Sequence, residues 1–420
     1  MKLKRRNFIK TAVAAGSAII LPKVALATLN PKKKKRVIVI GGGFAGATAA
    51  KYISMWSADT EVIMIERNAQ FISCPQSNLV LSGSRTLQQL TSDYRSLSDN
   101  YNIQTVQAEV VAIDTEKQNV TLADGVEISY HRLVIAPGVD FIYDDLPQLA
   151  HQEKIPHAWK AGHQTTLLKE QIKGMKKGGS IIMSIPGMPF RCPPGPYERA
   201  CQIAFYLKQY NPTAKLIILD ESDDVIVKKE LFKGAWEEYY SGLIDYVPSS
   251  RIENIDIKTM QVETEFDNFS ADVINFIPPQ RAGKVAEFAG VINVDDRWCK
   301  VDFLSYESTV KKNVHIIGDA ISASLPKSGH VANQQAKVCA AAIANLLNDQ
   351  EVEQEPVFSN TCYSFVDNEQ AGHIAEVFRY DKEHKKMKVM PNVGISDHGT
   401  KLDGVYANSW AKNIWADVLK

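Results

Sequence analysis

Three glycines and one carboxylate, spaced as in a nucleotide-binding turn, are the first residues with recognisable chemistry. Gly41, Gly43 and Gly46 follow the apolar run 37–40 at the spacing G-x-G-x-x-G and precede an alanine-rich segment. In such a turn the first glycine bends the chain, the second lets backbone approach a pyrophosphate, and the third lets helix pack on strand. Glu66, twenty residues after Gly46, stands where a carboxylate meets ribose hydroxyls. The pattern predicts a dinucleotide site; the alternative is an ordinary strand–helix turn.

A second glycine–acid pair occurs towards the C-terminal third of the chain. Gly318 and Asp319 lie in the apolar run 314–320, and Lys327 precedes a helix predicted over 330–347. In flavoproteins with two dinucleotide-binding domains, an aspartate in this context bonds the ribityl chain and phosphate. The positive N-terminal end of the helix would favour negative charge near flavin N1 and C2=O. These residues favour FAD as the bound dinucleotide.

The segment between these two motifs has the order expected of a flavin domain. Residues 103–130 alternate apolar and polar positions and predict a β meander. A buried strand predicted over 133–138 then ends in glycine. This order is typical of flavoproteins with two dinucleotide-binding domains.

A second α/β unit lacks the fingerprint of a second nucleotide site. Strands are predicted over 179–185 and 215–219, with a helix over 197–209 between them. The turn before that helix holds five prolines between positions 186 and 196. Because proline has no N–H donor, this turn is poor for binding a pyrophosphate. An NAD(P)H-dependent disulfide reductase is therefore disfavoured.

We expect an α/β protein with two Rossmann-like dinucleotide-binding domains, like glutathione reductase, and a small C-terminal α+β domain. Residues 36–150 and 285–355 would form the FAD-binding domain, and residues 151–284 the second Rossmann-like domain. Residues 356–420 would form a C-terminal interface domain. Its tail, 381–420, is polar and interrupted by proline and glycine, so we expect no broad apolar face there.

The N-terminus carries the pattern of an export signal. Residues 4–10 (KRRNFIK) resemble a twin-arginine motif, followed by a short apolar stretch and a candidate A-x-A cleavage site at 25–27. We expect a signal peptide over 1–27, a periplasmic location and no membrane span. Residues 1–27 hold six basic and no acidic residues, which leaves 42 basic and 48 acidic residues. No basic surplus indicates a nucleic-acid partner.

Six cysteines would enter an oxidising compartment, where disulfides are permitted. They are Cys74, Cys192, Cys201, Cys299, Cys339 and Cys362. None forms the C-x-x-C or C-x4-C pair of thioredoxin- or glutathione-reductase-type flavoproteins, and no C-x-x-C-H haem motif is present. Cys201 and Cys339 lie on predicted helices among apolar neighbours and are expected to be buried and inert, whereas the role of Cys299 stays open.

Seven segments together resemble one flavoprotein family. They are VIVIGGGFAG, SCPQSN, PFRCPPGPYERA, IIGDA, PKSGHVANQQAK, NTCYSF and NSWAKNIWAD. Over essentially its whole length, the chain is similar to the flavoprotein subunit of flavocytochrome c sulfide dehydrogenase, within a superfamily that includes sulfide:quinone oxidoreductase. The segments around Cys192 and Cys362 are specific to this family, whereas the glycine motifs are shared by flavoproteins more widely.

The resemblance implies a set of roles. Cys192 and Cys362 would form a redox-active disulfide over the flavin, and Glu198 would be a nearby acid or base. Cys74 would be thioether-linked to the 8α-methyl group of FAD. The partner would be a separate c-type cytochrome subunit in a heterodimer, contacted in part by the C-terminal segment; the substrate would be sulfide, and no metal site is expected. The remaining expected FAD contacts are Phe44, Ala45, Arg67, Asn78, Ala136, Gly138, Gly318 and Lys327.

The implied chemistry is consistent with these residue types. Near neutral pH, sulfide is largely HS⁻, which can attack a disulfide and leave a persulfide. Two electrons would then reach FAD, and an external acceptor is needed because the sequence shows no second redox centre. Several alternatives stay open: a purely structural disulfide, a free thiol at Cys74, a sulfide:quinone oxidoreductase, or a non-catalytic flavin-binding subunit. The sulfur product and the true sulfur donor are not determined.

Overall fold

The computed structural model describes residues 35–150, 152–391 and 393–420. Its first sheet has five parallel strands, and the glycine-rich turn follows the central one. From edge to edge, the strands are Val314–Ile316, Arg132–Ile135, Lys35–Ile40, Thr60–Glu66 and Gln104–Gln107. The predicted signal peptide lies outside the described residues.

The central strand is buried because its last four residues, all β-branched, have neighbours on both sides. Two helices, Phe44–Trp56 and Gly329–Leu347, pack against each other on this sheet. The sheet order changes direction next to the central strand, and such a switch point is where α/β folds bind ligands at the carboxyl ends of strands. The dinucleotide turn therefore lies where this fold favours ligand binding.

The predicted meander is right for three strands and wrong for the first. Val110–Asp114, Asn119–Leu122 and Glu127–Ser129 form an antiparallel sheet. Gln104–Gln107 instead pairs in parallel with Thr60–Glu66 as an edge strand of the first sheet. Alternation of apolar and polar residues predicts that a segment is a strand, but it does not predict which strand the segment pairs with.

The second sheet has four parallel strands and faces a separate apolar core. Its strands are Ile244–Val247, Lys215–Asp220, Ser180–Ile185 and Val273–Asn275, and its helices are His163–Gly174, Gly195–Tyr210 and Lys229–Tyr240. A small antiparallel sheet, Ile252–Asp256 with Gln261–Thr264 and Asn268–Ser270, covers one side. The chain crosses between the two units twice, and the two crossing segments pair as antiparallel strands, Val139–Phe141 with Gln280–Ala282.

The C-terminal segment is built on a long hairpin, Val357–Phe365 with Ala371–Asp381. Lys386–Val389 and Gly394–Ile395 extend this hairpin, and the helix Lys401–Leu419 comes after it in the chain. Shorter elements elsewhere are Phe71–Ile72, Leu79–Ser82, Gln88–Leu90, Thr91–Ser92, Arg95–Tyr101, Pro147–Leu149, Val285–Phe288 and Gly318–Ala320.

The C-terminal helix differs from the expected polar, interrupted tail. It is capped by Thr400, whose hydroxyl accepts the Asp403 N–H, and it packs on the helix Phe44–Trp56. Its first two turns expose Leu402 (59%), Val405 (59%) and Tyr406 (50%) at the i, i+3, i+4 spacing of one helix face. The tail therefore carries a narrow apolar stripe that its composition did not predict. In the described part of the chain, no helix is both long and apolar enough to cross a membrane.

Candidate functional site: a flavin cradle and a cysteine pocket

At Gly41 and Gly46 the glycine-rich turn leaves room only for backbone. A Cβ added at Gly41 would lie 2.3 Å from the Ala136 carbonyl oxygen, and Gly41 has a φ of +103°. A Cβ at Gly46 would lie 1.8 Å from the Gly41 oxygen, whereas one at Gly43 would meet nothing within 4 Å. Gly43 begins the helix Phe44–Trp56 without any side-chain cap on its first amides. The turn thus presents an open helix N-terminus of the kind that binds phosphate.

Glu66 ends the neighbouring strand and braces this turn. Its Oε2 accepts the Gly42 N–H at 2.6 Å, and its Oε1 accepts the Asn68 N–H at 2.8 Å. An ionised carboxylate has about four acceptor positions, so Glu66 keeps acceptor capacity for the ribose hydroxyls predicted from the sequence. Arg67, the next residue, is exposed.

The Gly318–Ala320 turn supplies an acceptor that lacks a partner. Asp319 Oδ1 is buried and receives no hydrogen bond from any residue that the structure describes. Burial raises the pKa of Asp319, against the charges of Arg191 and Lys327. Gly318 donates its N–H to Gln335 Oε1 at 2.7 Å and has a φ of +81°. Because buried polar atoms are normally paired, this orphan oxygen fits a hydroxyl-bearing ligand such as the ribityl chain of FAD.

Lys327 donates its hydrogen bonds to backbone carbonyl groups of the turn that carries Asp319. Its Nζ donates to the carbonyl oxygens of Asp319 (2.8 Å) and Ile321 (2.7 Å) and lies 3.7 Å from the centre of the Trp298 ring. Burial lowers the pKa of Lys327 to about 8. The side chain therefore shapes the Asp319 turn.

Three further residues predicted to contact FAD are held by contacts within the protein. Ala45 packs against Gly318, and the Phe44 ring meets the Phe71 ring edge-on at 5.2 Å between centroids. Gly138 has a φ of +65°, and its carbonyl accepts the Gly283 N–H at 3.0 Å.

Three cysteines far apart in the sequence line one cavity of about 800 Å³, a volume that includes its opening to solvent. Cys74, Cys192 and Cys362 come from the first domain, the proline-rich loop and the C-terminal hairpin. The other main lining residues are Asn78, Trp159, Arg191, Glu198, Arg199, His330, Tyr363, Phe365 and Trp410. The structure thus brings together the four sequence candidates Cys74, Cys192, Cys362 and Glu198.

Cys192 is held in a left-handed backbone conformation with a φ of +57°. Its N–H donates to the Lys327 carbonyl at 2.7 Å, and its own carbonyl accepts the Gly195 N–H at 2.8 Å. A Cβ on Gly195 would lie 3.0 Å from Cys192 Sγ and 2.8 Å from the Trp159 ring. A non-glycine residue at positive φ costs of order 1–3 kcal/mol, and these bonds hold it between the flavin domain and the helix Gly195–Tyr210.

Cys192 and Cys362 are free thiols that line the same cavity. Interaction with the Cys192 thiol and the charge of Lys228 lower the pKa of Cys362, while interaction with Cys362 and burial raise the pKa of Cys192. The pair is therefore polarised, with Cys362 as the more acidic thiol. Two thiols that line one cavity are candidates for a disulfide, which needs sulfurs that can approach to bonding distance.

Glu198 is buried beside this pair and is fixed at both oxygens. Oε1 accepts the Phe365 N–H at 2.9 Å, and Oε2 accepts Asn78 Nδ2 at 2.8 Å. Burial raises the pKa of Glu198, against these hydrogen bonds and the charges of Lys228 and Arg199. A buried carboxyl with a raised pKa is a candidate proton donor or acceptor.

Asn78 lines the cavity, but both ends of its side-chain amide form hydrogen bonds with other protein groups. Besides Glu198, its Nδ2 reaches the Gly195 carbonyl at 3.1 Å, and its Oδ1 accepts Arg199 Nε at 3.0 Å. The predicted flavin contact is therefore, in this structure, the residue that orients Glu198.

Cys74 lies on a loop held by the C-terminal helix. Trp415 Nε1 donates to Ser73 Oγ at 2.8 Å, and Gln76 Nε2 donates to the Ala407 carbonyl at 3.3 Å. Arg191 Nη1 donates to Cys74 Sγ at 3.3 Å. The loop and the C-terminal helix therefore form one wall of the cavity.

Arg191, Arg199 and Lys228 are charged site residues that the sequence reasoning missed. Arg199 is 2% exposed, donates to the His157 and Ala158 carbonyls and stacks 4.8 Å from the Trp159 ring. Lys228 is 3% exposed beside Cys362. Arg191 and Arg199 lie within a segment used for the resemblance, but no local pattern marks Lys228 among its neighbouring charges. The predicted burial of Cys201 and Cys339 is confirmed, and Cys299 is buried too.

Comparisons with known proteins place this geometry in one family. The family model for the central part of the flavocytochrome c sulfide dehydrogenase flavoprotein chain matches residues 165–278. The flavin-binding model of flavocytochrome c sulphide dehydrogenase matches residues 354–419, and a pyridine nucleotide-disulphide oxidoreductase model matches residues 35–174. The sulfide dehydrogenase (flavocytochrome c) flavoprotein chain of Chlorobaculum thiosulfatiphilum is 46% identical over 46 residues, which are 11% of this chain and 96% of that one. The chain belongs to the flavocytochrome c sulfide dehydrogenase and sulfide:quinone oxidoreductase family.

This family membership makes the chain an FAD-binding, sulfide-oxidising flavoprotein. The sulfide-quinone reductase of Aquifex aeolicus (strain VF5) is 23% identical over 350 residues, covering 78% of this chain and 80% of that one. The solved sulfide:quinone oxidoreductase from Aquifex aeolicus superposes with a TM-score of 0.73 at 20% identity, covering 91% of each chain. The shared fold confirms the predicted class of two dinucleotide-binding domains with a C-terminal domain.

Proposed function

We propose that this flavoprotein is a sulfide dehydrogenase of the flavocytochrome c type, which oxidises HS⁻ at a Cys192–Cys362 disulfide and passes the electrons through FAD to a c-type cytochrome. The observation that carries the proposal is that Cys192 and Cys362 line one solvent-connected cavity. The two thiols are 170 residues apart in the sequence and line one cavity from the proline-rich loop and the C-terminal hairpin.

The reaction begins with the two thiols oxidised to a disulfide. HS⁻ attacks one sulfur, a new S–S bond forms, the old one breaks, and the electron pair leaves on the other cysteine as a thiolate. Sulfide is oxidised to the persulfide level, and the disulfide is reduced. FAD, when bound, supplies a two-electron acceptor; Gly41, Gly43, Gly46, Glu66 and Asp319 would hold it.

Glu198 holds or moves a proton at Oε2 or Oε1 beside the sulfurs. Burial raises its pKa, which favours the neutral form that can donate a proton. Phe365 and Asn78 keep the carboxyl aimed in one direction, so the proton is delivered at a defined place. Arg191, 3.3 Å from Cys74 Sγ, orients the third thiol for the thioether bond to the flavin that we propose.

The proposed setting is the periplasm, supported by the twin-arginine pattern of residues 4–10. The proposed acceptor, a c-type cytochrome in a heterodimer, is supported by the two matches to flavocytochrome c family models. The C-terminal helix is the proposed contact, because Ala407 and Trp410 of that helix line the cavity.

The test is an anaerobic titration of the purified flavoprotein with sulfide, and separately with NADH, followed by flavin absorbance. We expect sulfide to bleach the flavin, and Cys192→Ser or Cys362→Ser to slow bleaching on the order of a thousandfold. Cys339→Ala, a buried thiol outside the cavity, is the matched control and keeps the wild-type rate. Bleaching that survives both serine substitutions would rule out the disulfide mechanism.

A quinone acceptor is the second candidate, because Leu402, Val405 and Tyr406 expose an apolar stripe on the helix that carries Trp410. Sulfide-reduced protein is mixed with oxidised cytochrome c or with decylubiquinone in lipid vesicles. Reoxidation by the cytochrome alone supports the first acceptor. Reoxidation by the quinone alone, lost in Val405→Glu but retained in the control Lys412→Glu, supports the second.

A further inference from the structure

Lys228 is a buried lysine that reaches the backbone of Cys362 from the second Rossmann-like unit. It immediately precedes the helix Lys229–Tyr240, has a φ of +53° and is 3% exposed. Its Nζ donates to the Cys362 carbonyl at 2.7 Å, to Ser364 Oγ at 3.1 Å and to the Gly372 carbonyl at 3.3 Å. All three ammonium hydrogens are therefore directed at the hairpin that carries Cys362.

The helix Lys229–Tyr240 and the C-terminal hairpin can approach each other closely because residue 372 is a glycine. A Cβ at this position would lie 2.7 Å from a methyl carbon of Leu231, one turn into the helix Lys229–Tyr240. Ser364 and Gly372 face each other in the hairpin, so Lys228 bonds both strands at one level. The ammonium is thus fixed next to the reactive cysteine.

The charge of Lys228 has only neutral hydrogen-bond acceptors. Among the residues the structure describes, no carboxylate oxygen lies within ion-pair distance of its Nζ. Burying an ammonium is costly unless an anion compensates it. Burial lowers the pKa of Lys228, and Cys362 is the foremost of the surrounding groups whose charge opposes that shift, ahead of Glu198 and Cys192. A thiolate at Cys362 would therefore compensate the ammonium.

We propose, on the basis of the proposed function, that Lys228 is a positioning residue that makes Cys362 the leaving thiolate and thereby directs HS⁻ to Cys192. In this step, HS⁻ forms a bond to Cys192 Sγ and the Cys192–Cys362 bond breaks. The electron pair leaves on Sγ of Cys362, the residue whose backbone carbonyl accepts a hydrogen bond from the ammonium. Cys192 becomes the persulfide, Cys192–S–SH, and one negative charge is present before and after the step.

The other groups around Cys362 do not supply this cation. Interaction with the Cys192 thiol lowers the pKa of Cys362, and Lys228 lowers it further through its charge. Glu198, on the helix Gly195–Tyr210, and Glu376, on the facing hairpin strand, both raise it. His330 does not supply this cation either. Its Nδ1 accepts the Thr361 N–H at 2.9 Å, and burial lowers the pKa of the imidazole, so it is neutral at pH 7.

The test titrates the two thiols in the reduced flavoprotein. Wild type, Lys228→Gln and Lys228→Arg are pulse-labelled with iodoacetamide between pH 5 and 10, and the peptides containing Cys192 and Cys362 are quantified by mass spectrometry. We expect Cys362 to react at lower pH than Cys192 in wild type. Lys228→Gln removes the charge and should raise the Cys362 midpoint by about one unit, a roughly tenfold slower labelling at pH 6. Lys228→Arg should keep the wild-type midpoint.

Lys233→Gln is the matched control, because Lys233 lies on the same helix but pairs with Asp224 at the surface. It should leave both midpoints unchanged. The proposal is overturned if Lys228→Gln labels like wild type, or if Cys192 is the first thiol to react in wild type. A wild type in which Cys192 reacts first overturns the proposal even if Lys228→Gln fails to fold. Because labelling needs no sulfide turnover, a wild type that does not bleach with sulfide defeats the proposed function separately.

Discussion

The turn after the strand Lys35–Ile40 and the turn after the strand Ser180–Ile185 begin with the same kind of hydrogen bond and then differ in length and composition. In the first, the Gly42 N–H donates to Glu66 Oε2 at 2.6 Å; in the second, the Gly187 N–H donates to Glu221 Oε2 at 2.8 Å. Each carboxylate ends or directly succeeds the neighbouring parallel strand. The same bridge between adjacent strands therefore occurs in both units.

The two turns differ in length and composition after this bridge. Three residues separate the strand Lys35–Ile40 from its helix, whereas nine separate Ser180–Ile185 from the helix Gly195–Tyr210. The longer turn replaces amide donors with prolines and places Cys192 just before the helix. One fold thus uses the carboxyl end of a central strand for a nucleotide in one unit and for a thiol in the other.

The largest effect should come from filling the first turn. Gly46→Ala places a methyl group where a Cβ lies 1.8 Å from the Gly41 oxygen, so helix and strand must separate and bound FAD should fall at least about tenfold. The measurement is the ratio of flavin to protein absorbance after gel filtration. Gly187→Ala, at the place in the second turn that corresponds to Gly42, should retain FAD. Equal loss of FAD in both variants would break the comparison.

The next effect should come from crowding the thiol. Gly195→Ala puts a Cβ 3.0 Å from Cys192 Sγ, and displacement of a reacting atom by about 1 Å can cost on the order of a hundredfold. Stopped-flow bleaching by sulfide should slow by about tenfold to a hundredfold while FAD content stays unchanged. Wild-type kinetics would show that the Cys192 position is not critical.

A comparable effect is expected at Glu198. Glu198→Gln removes the proton-transfer group at nearly constant shape and should slow bleaching by about tenfold to a hundredfold at pH 7. The variant also tests stability. Since burial raises the pKa of Glu198, the wild type loses stability as the pH rises from about 4.5 through the folded-state pKa, because a buried carboxyl must ionise. The Tm of Glu198→Gln relative to wild type should therefore increase over that range; a pH-independent difference would contradict the assignment.

The smallest effect is a null result. NADH should not bleach the flavin, because the second turn lacks the glycine-rich amides that bind a pyrophosphate. A cavity of about 590 Å³ does remain at this edge, lined by Pro186, Glu221 and Arg251 among others. Bleaching by NADH at a rate near that of sulfide would show that this cavity still accepts a dinucleotide.

Features that depend on a few adjacent residues were predictable from the sequence. The turn at Gly41, Gly43 and Gly46 and the acid at Asp319 are determined by backbone geometry and buried strands, which neighbouring residues specify. The pairing of Cys192 with Cys362 entered only through the resemblance, since spacing alone allows many pairs.

Features that depend on which elements meet were decided by the tertiary structure. Lys228 contacts Cys362 across 134 residues, and Asn78 orients Glu198 across 120. The edge position of Gln104–Gln107 and the exposed stripe at Leu402 are further examples. Local propensity and periodicity describe a residue's own element, whereas the burial, partner and charge of these side chains are set by the element packed against it.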